Sequence, residues 1–176
     1  MQEARSPTEH QPRLLRALAQ LLREQRIAAL ATLEADGAPA VSMVPFAVEP
    51  AQGCLVLHVS ALAQHTGNME REPRVSLLVT RSEQAGVPVH ALPRVSLFGR
   101  SSAPQRDSPA WVACRAAYLQ RFPEAEPMTQ LGDFRFLAIE LEGARQVAGF
   151  GAARSVGVDE LAAVLRAACH PVDGIT

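Results

Sequence analysis

Short β runs joined by tight turns, with helical patterns between them and at both ends, predict a mainly β protein with helices (α+β). The expected architecture is an antiparallel six-stranded barrel with flanking helices. Two observations carry this. Asp36-Gly37 lies between two apolar runs and is the strongest hairpin signal in the chain. Further strand-like runs follow at short spacing, in hairpin order rather than as repeated βαβ units. At 176 residues and 48% hydrophobic content the chain can fill one core and is short for two. The division expected is an arm over residues 1–12, one domain over 13–170 and a tail over 171–176.

In order, Leu14, Leu15, Leu18, Leu21 and Leu22 recur at helical spacing with Arg13, Arg16, Arg23 and Glu24 opposite them, an amphipathic helix packed on the domain. Ile27 to Leu33 is a first strand, and beyond Asp36-Gly37 its partner runs from Ala40 to Val48. Pro45 interrupts that second strand and marks an edge, a bulge or freed backbone. Cys54 to Ser60 is the third strand, and a short polar helix follows it to Glu72-Pro73. Arg74 to Thr80 is the fourth strand. Arg81 to Leu92 is a weakly patterned connection, and Arg94 to Arg100 is the fifth strand. Ser108 caps a helix with Pro109 in its first turn, running to Phe122. Phe134 to Leu141 is the sixth strand, the glycine-rich Gln146 to Ala152 is irregular, and Asp159 to Cys169 is the last helix.

Composition narrows the function classes. The net charge of −1 supplies no cationic field for nucleic acid or an acidic membrane. All 17 basic residues are arginine, which removes Schiff-base and Walker-type lysine chemistry. Cys54, Cys114 and Cys169 show no paired spacing and are expected to be buried free thiols of a cytoplasmic protein. The N-terminus has no apolar signal core, and no apolar run approaches membrane-spanning length. The five histidines form no ligand pair, so no metal site is expected. Ser60, His65 and the aspartates lack a G-x-S-x-G elbow, and Gly149-Phe150-Gly151 does not fit G-x-G-x-x-G, which leaves hydrolase and dinucleotide readings weak.

The stretch richest in chemistry is Cys54 to Thr80, a strand feeding a helix whose start gathers Ser60, His65, Thr66 and Asn68, the chain's one asparagine. Unpaired N–H groups and the positive end of the helix dipole make such a junction suited to an anion. The segments ATLEADGAPAVSMVPFAV, HVSALAQHTGNMEREPRVSLLV, LPRVSLFGRSSA and DFRFLAIELEGARQVAGFGAA, in that order, resemble the FMN-binding split-barrel family related to pyridoxamine 5'-phosphate oxidase. Within it the chain is most similar to the heme-utilisation branch, over roughly residues 13 to 156.

The resemblance implies a split barrel with FMN at the interface of a homodimer. By position, Ser60, His65, Thr66 and Asn68 would hold the phosphate and ribityl chain. Thr32, Ser42, Val44 and Pro45 would lie along the flavin ring, and Arg94, Arg100 and Gly149-Phe150-Gly151 would complete the pocket. The lysine and the C-terminal arginine-histidine motif of the vitamin B6 oxidases are missing. Heme-degrading relatives usually carry a further C-terminal element, whereas here only His170 stands near the end. The expected function is therefore an FMN-dependent oxidoreductase acting on an unidentified small molecule. The alternatives are a heme-binding or heme-degrading protein, a deazaflavin protein, or a non-catalytic flavin-binding dimer.

Overall fold

The computed structural model describes residues 7–149 and 152–169. An eight-stranded antiparallel sheet curls into a split barrel, with neighbours in the order β2-β1-β5-β6-β7-β4-β3 and β8 paired to β7. The strands are β1 (Ile27–Leu33), β2 (Pro39–Pro45), β3 (Ala47–Glu49), β4 (Cys54–Ser60), β5 (Arg74–Thr80), β6 (Arg94–Ser102), β7 (Phe134–Val147) and β8 (Ala153–Val156). The helices are α1 (Pro7–Glu24), α2 (Gln64–Arg71), α3 (Pro109–Arg121) and α4 (Val158–Cys169).

The expected hairpin is present: Ile27 to Leu33 pairs in register with Pro45 back to Pro39. Gly37 supplies the left-handed residue of its turn at φ 87°, and the Asp36 carboxylate accepts from the Ala38 N–H at 2.9 Å. Pro45 does break the second strand. The Phe46 N–H donates to Arg26, and beyond it Ala47–Glu49 pairs with β4 instead of β1. The expected strand from Ala40 to Val48 is thus two strands that form opposite edges of the sheet, and the side of the barrel is split between them.

Other differences have local causes. Helix α1 reaches back to Pro7, so residues 7–12 of the expected arm are helical; residues 1–6 and the tail over 171–176 lie outside the described residues. Gln146 and Val147 continue β7, because β6 on one side and β8 on the other supply them with ladder partners. Pro123–Gln130 winds into 3₁₀ turns, as does Val89–Ala91 within the weakly patterned connection. Cys54 and Cys114 are buried as expected, but Cys169 is exposed at the end of α4.

The main core fills the barrel. Leu30, Val44, Phe46, Leu55, Leu57, Leu77, Leu97 and Ile139 point inward, and Leu18 and Leu22 of α1 close it together with Leu161 and Leu165 of α4. A second, smaller core lies outside the barrel wall, where Cys114 and Tyr118 of α3 and Phe122 just beyond it pack on Ala47, Cys54, Val56 and Phe136. Ser108 caps α3 by accepting from the Trp111 N–H at 3.2 Å. No described helix is long and apolar enough to cross a membrane.

Candidate functional site

Strand β4 delivers its last residue to the mouth of the barrel, where the Ser60 hydroxyl accepts from the Leu62 N–H (3.1 Å) and donates to Asp133 Oδ2 (3.0 Å). A turn over residues 61–63 then leads into α2. Thr66, fully buried, donates to the Ser60 carbonyl at 2.7 Å and ties the helix to the strand end. Two residues on, Asn68 Nδ2 donates to Thr32 Oγ1 at 3.0 Å, with both side chains buried, and Asn68 Oδ1 accepts from Arg71 at 2.7 Å. The structure therefore sets these residues in two hydrogen-bonded pairs, Ser60–Thr66 and Thr32–Asn68, which α2 carries side by side as a polar network between β4 and β1.

That network is satisfied from within. An anion set on Ser60 would meet the Asp133 carboxylate that already takes the hydroxyl proton, so these side chains fit a phosphate less well than their types alone imply. His65 differs. It is half-buried, and burial lowers its pKa below the ordinary imidazole value, so at neutral pH it is an uncharged ring with a lone pair to offer.

Beside the network, a pocket of about 260 Å³ opens on the outer side of the sheet, lined by Ala31, Thr32, Leu33, Pro39, Arg74, Val75 and Ser76. Arg74 stands directly across the β5–β6 ladder from Arg100. Like charges so placed repel, and the Glu72 carboxylate moderates the pair by taking two bonds of 2.9 Å from Arg74. Arg74, by its side-chain and backbone hydrogen bonds and with Arg100 nearby, pulls Glu72 down to about 2.

The rest of this outer face is apolar. Alternate residues of the ladders line up as Met43, Ala29, Leu78 and Ser96 in one row, and Val41, Ala31, Ser76 and Phe98 in the next. Val41 is 71% exposed and Met43 65%, with Ile27, Leu78 and Phe98 also open to solvent. The result is a shallow trough of small side chains with apolar rims and an arginine pair at one end.

The remaining expected residues divide by position. Ser42 and Pro45 lie on edge strand β2, whose outer backbone has no ladder partner, whereas the Val44 side chain points into the core and leaves only its backbone for a ligand. Arg94 sits at the other end of β6 from Arg100, roughly 20 Å away along the strand, and donates to the Leu92 carbonyl at 3.1 Å. It pairs with Val147, beside the turn that holds Gly149. Arg94 and Gly149 are thus together but not with Ser60 on one chain; Phe150, Gly151 and His170 lie outside the described residues. Among the described residues no group of three or more His, Cys, Asp or Glu side chains is placed to hold a metal ion.

Asp133, Arg74 and Ser76 were not among the expected site residues. Asp133 joins through the β4–β7 ladder, which brings Phe134 opposite Ser60 across a long sequence separation. Arg71 was within reach of sequence reasoning, since it lies three residues after Asn68 on one helix.

Residues 14–148 match the family model described as pyridoxamine 5'-phosphate oxidase. The chain belongs to the pyridoxamine 5'-phosphate oxidase family. Among its relatives, "Heme oxygenase HutZ" of Vibrio cholerae is 34% identical over 152 residues, covering 86% of this chain and 85% of that one. "Non-canonical heme oxygenase HOZ, chloroplastic" of Arabidopsis thaliana is 36% identical over 118 residues, 67% of this chain but 34% of that protein. The solved structure of a heme binding protein from Mycobacterium smegmatis superposes with a TM-score of 0.76 at 26% identity, over 92% of this chain and 62% of that one. The chain therefore spans less than two thirds of the Mycobacterium protein and about a third of the plant one. The family and its heme-utilisation branch agree with the resemblance read from the sequence, and the split barrel agrees with the fold expected.

Proposed function

We propose that this family member binds heme on the outer trough of β1, β2, β5 and β6, with a second copy of the chain closing over it, and that heme degradation is its reaction. The observation that carries the reading is the 34% identity to a heme oxygenase over 86% of this chain. The trough fits such a group chemically. A flat apolar ring needs an open apolar surface with small side chains beneath it, which Ala29, Ala31, Ser76 and Ser96 supply between the exposed Val41 and Met43 and the rims at Leu78 and Phe98. Carboxylates at one edge of the ring would pair with Arg100, beside an Arg74 already held by Glu72. His65, half-buried at the start of α2 and uncharged at neutral pH, is our candidate iron ligand, a protonation state it shares with the more deeply packed His58. Bound heme would supply the oxygen chemistry, while the chain's own work is to hold the ring, pair its carboxylates and limit water.

Hemin titration of the purified chain tests the reading. A saturable Soret shift that is lost in His65→Ala, or in one other His→Ala variant taken in turn, supports heme binding. Its consumption with a reductant and oxygen supports degradation. A chain that gives no Soret shift at any hemin ratio overturns both.

FMN remains the second reading, favoured by the match to the pyridoxamine 5'-phosphate oxidase model and by the unpaired backbone edge of β2 beside Ser42 and Pro45. A flavin spectrum at one per chain in freshly purified protein would support it, with oxidation of a small molecule as the activity to seek.

A further inference from the structure

The second core outside the barrel holds two thiols that neither reading of function uses. Cys54 opens β4 and is 2% exposed; Cys114 sits in mid-α3 and is completely buried. They belong to the same apolar cluster at the seam between helix and sheet, and each shifts the ionisation of the other. Around them are Ala47, Val56, Tyr118, Phe136 and Ala138, with buried His58 packed on the Tyr118 and Phe136 rings and buried Glu49 acting on both thiols. A thiol pair in such surroundings has one low-cost covalent option, which is to join.

We propose that Cys54 and Cys114 form a redox dithiol whose oxidation to a disulfide staples α3 to β4. Hydrogen peroxide is the oxidant class considered. In the first step one sulfur attacks a peroxide oxygen and becomes a sulfenic acid, and the O–O bond breaks to release water. In the second step the other sulfur attacks the sulfenic sulfur, the S–S bond forms and a second water leaves. Two S–H bonds are lost, one peroxide is reduced, and two waters account for all protons and electrons. The neighbouring thiol and burial push the ionisation of Cys54 up, while the same neighbour pulls that of Cys114 down. Cys114 is thus the attacking sulfur and Cys54 the resolving one. Access comes through local opening of α3, which packs as a single outer layer on the barrel wall.

Cys169 provides an internal control, being exposed and far along the chain on α4. The full-length chain is treated with hydrogen peroxide under native conditions, blocked with an alkylating reagent, denatured, alkylated again with a second reagent and digested without reduction. The expected result is a Cys54–Cys114 linked peptide, two hydrogens lighter than the sum of its parts and reversed by dithiothreitol. The linked peptide disappears in Cys114→Ser and persists in Cys169→Ser. Should Cys169 be fully oxidised while Cys54 and Cys114 take up the second alkylating reagent, the proposal is overturned. A linked peptide that forms only in denaturant overturns it equally. The wild-type measurement decides the matter even if a serine variant folds poorly.

Discussion

Position 99 has room for a hydrogen and little else. A β-carbon on Gly99 would lie 2.2 Å from the Glu140 carbonyl oxygen, where the β6–β7 register slips between Phe98 and Gly99. The neighbour in the way is backbone, so it cannot turn aside as a side-chain tip could. Gly99→Ala is expected to cost about 2–4 kcal/mol, read as a lower midpoint in urea denaturation with little change in slope. Asn68 is a second such residue. Its amide satisfies buried Thr32 and holds Arg71, so Asn68→Ala should lose about 1–3 kcal/mol of stability. Ser60, His65, Thr66 and Asn68 are legible because polar residues clustered at a strand-to-helix junction are visible in one stretch, whereas Thr32 enters only through the family resemblance. Sequence reasoning did not find Asp133 or the Cys54–Cys114 contact, since neither periodicity nor spacing encodes which distant strand or helix lies alongside.

At the scale of elements, turns and caps were legible and ladder partners were not. Asp36-Gly37 and Ser108-Pro109 announce themselves through backbone requirements that few residues meet, whereas β8 consists of small and polar residues and exists because β7 offers it a ladder. Helix α1 is held in a way no local pattern would show. Its last carbonyls, on Leu22 (3.0 Å) and Arg23 (3.1 Å), and the carbonyl of Gln25 beyond it accept from one nitrogen of Arg121 on α3, and the same guanidinium stacks over Phe46 at 5.0 Å. This places a cation at the negative end of a helix dipole and joins two helices distant in sequence. Arg121→Ala should therefore destabilise by about 2–3 kcal/mol, with amide exchange rising first near residues 21–25. The seam between α3 and the sheet also carries a pH dependence. His58 is boxed by Tyr118, Phe134 and Phe136 at ring distances of 5.5, 5.1 and 4.6 Å, and burial lowers its pKa from 6.5. The unfolded chain therefore binds the proton more readily than the folded one. Stability from this group is complete above about pH 6.5 and declines as pH falls below it. Melting temperature should drop between about pH 7 and pH 5, and the slope should be shallower in His58→Phe.

For the whole molecule, the split in the barrel explains why one face of the sheet differs from all the others. The chain spends its inward-facing leucines and valines on the core and caps that core with α1 and α4, and α3 covers β3, β4 and β7. Among the described residues none covers β1, β2, β5 and β6 from outside, yet Val41, Met43, Ile27, Leu78 and Phe98 point there. Exposed apolar side chains in register across four strands form a contiguous patch, which a soluble monomer rarely maintains. A second copy of the chain meeting this face to face would bury it by the same residues on both sides, as two-fold symmetry requires. Met43 tests that arrangement, because it is 65% exposed in the single chain and its removal costs the monomer little. Met43→Arg should alter monomer stability by no more than about 0.5 kcal/mol. In a dimer, however, it would set two guanidinium groups against an apolar surface. Light scattering should then show the wild-type chain at twice the monomer mass and the variant at the monomer mass. The wild-type melting temperature should also rise with protein concentration, while that of the variant should not. A wild-type chain that stays monomeric at high concentration would end the dimer proposal and, with it, the idea that the trough is closed by a partner.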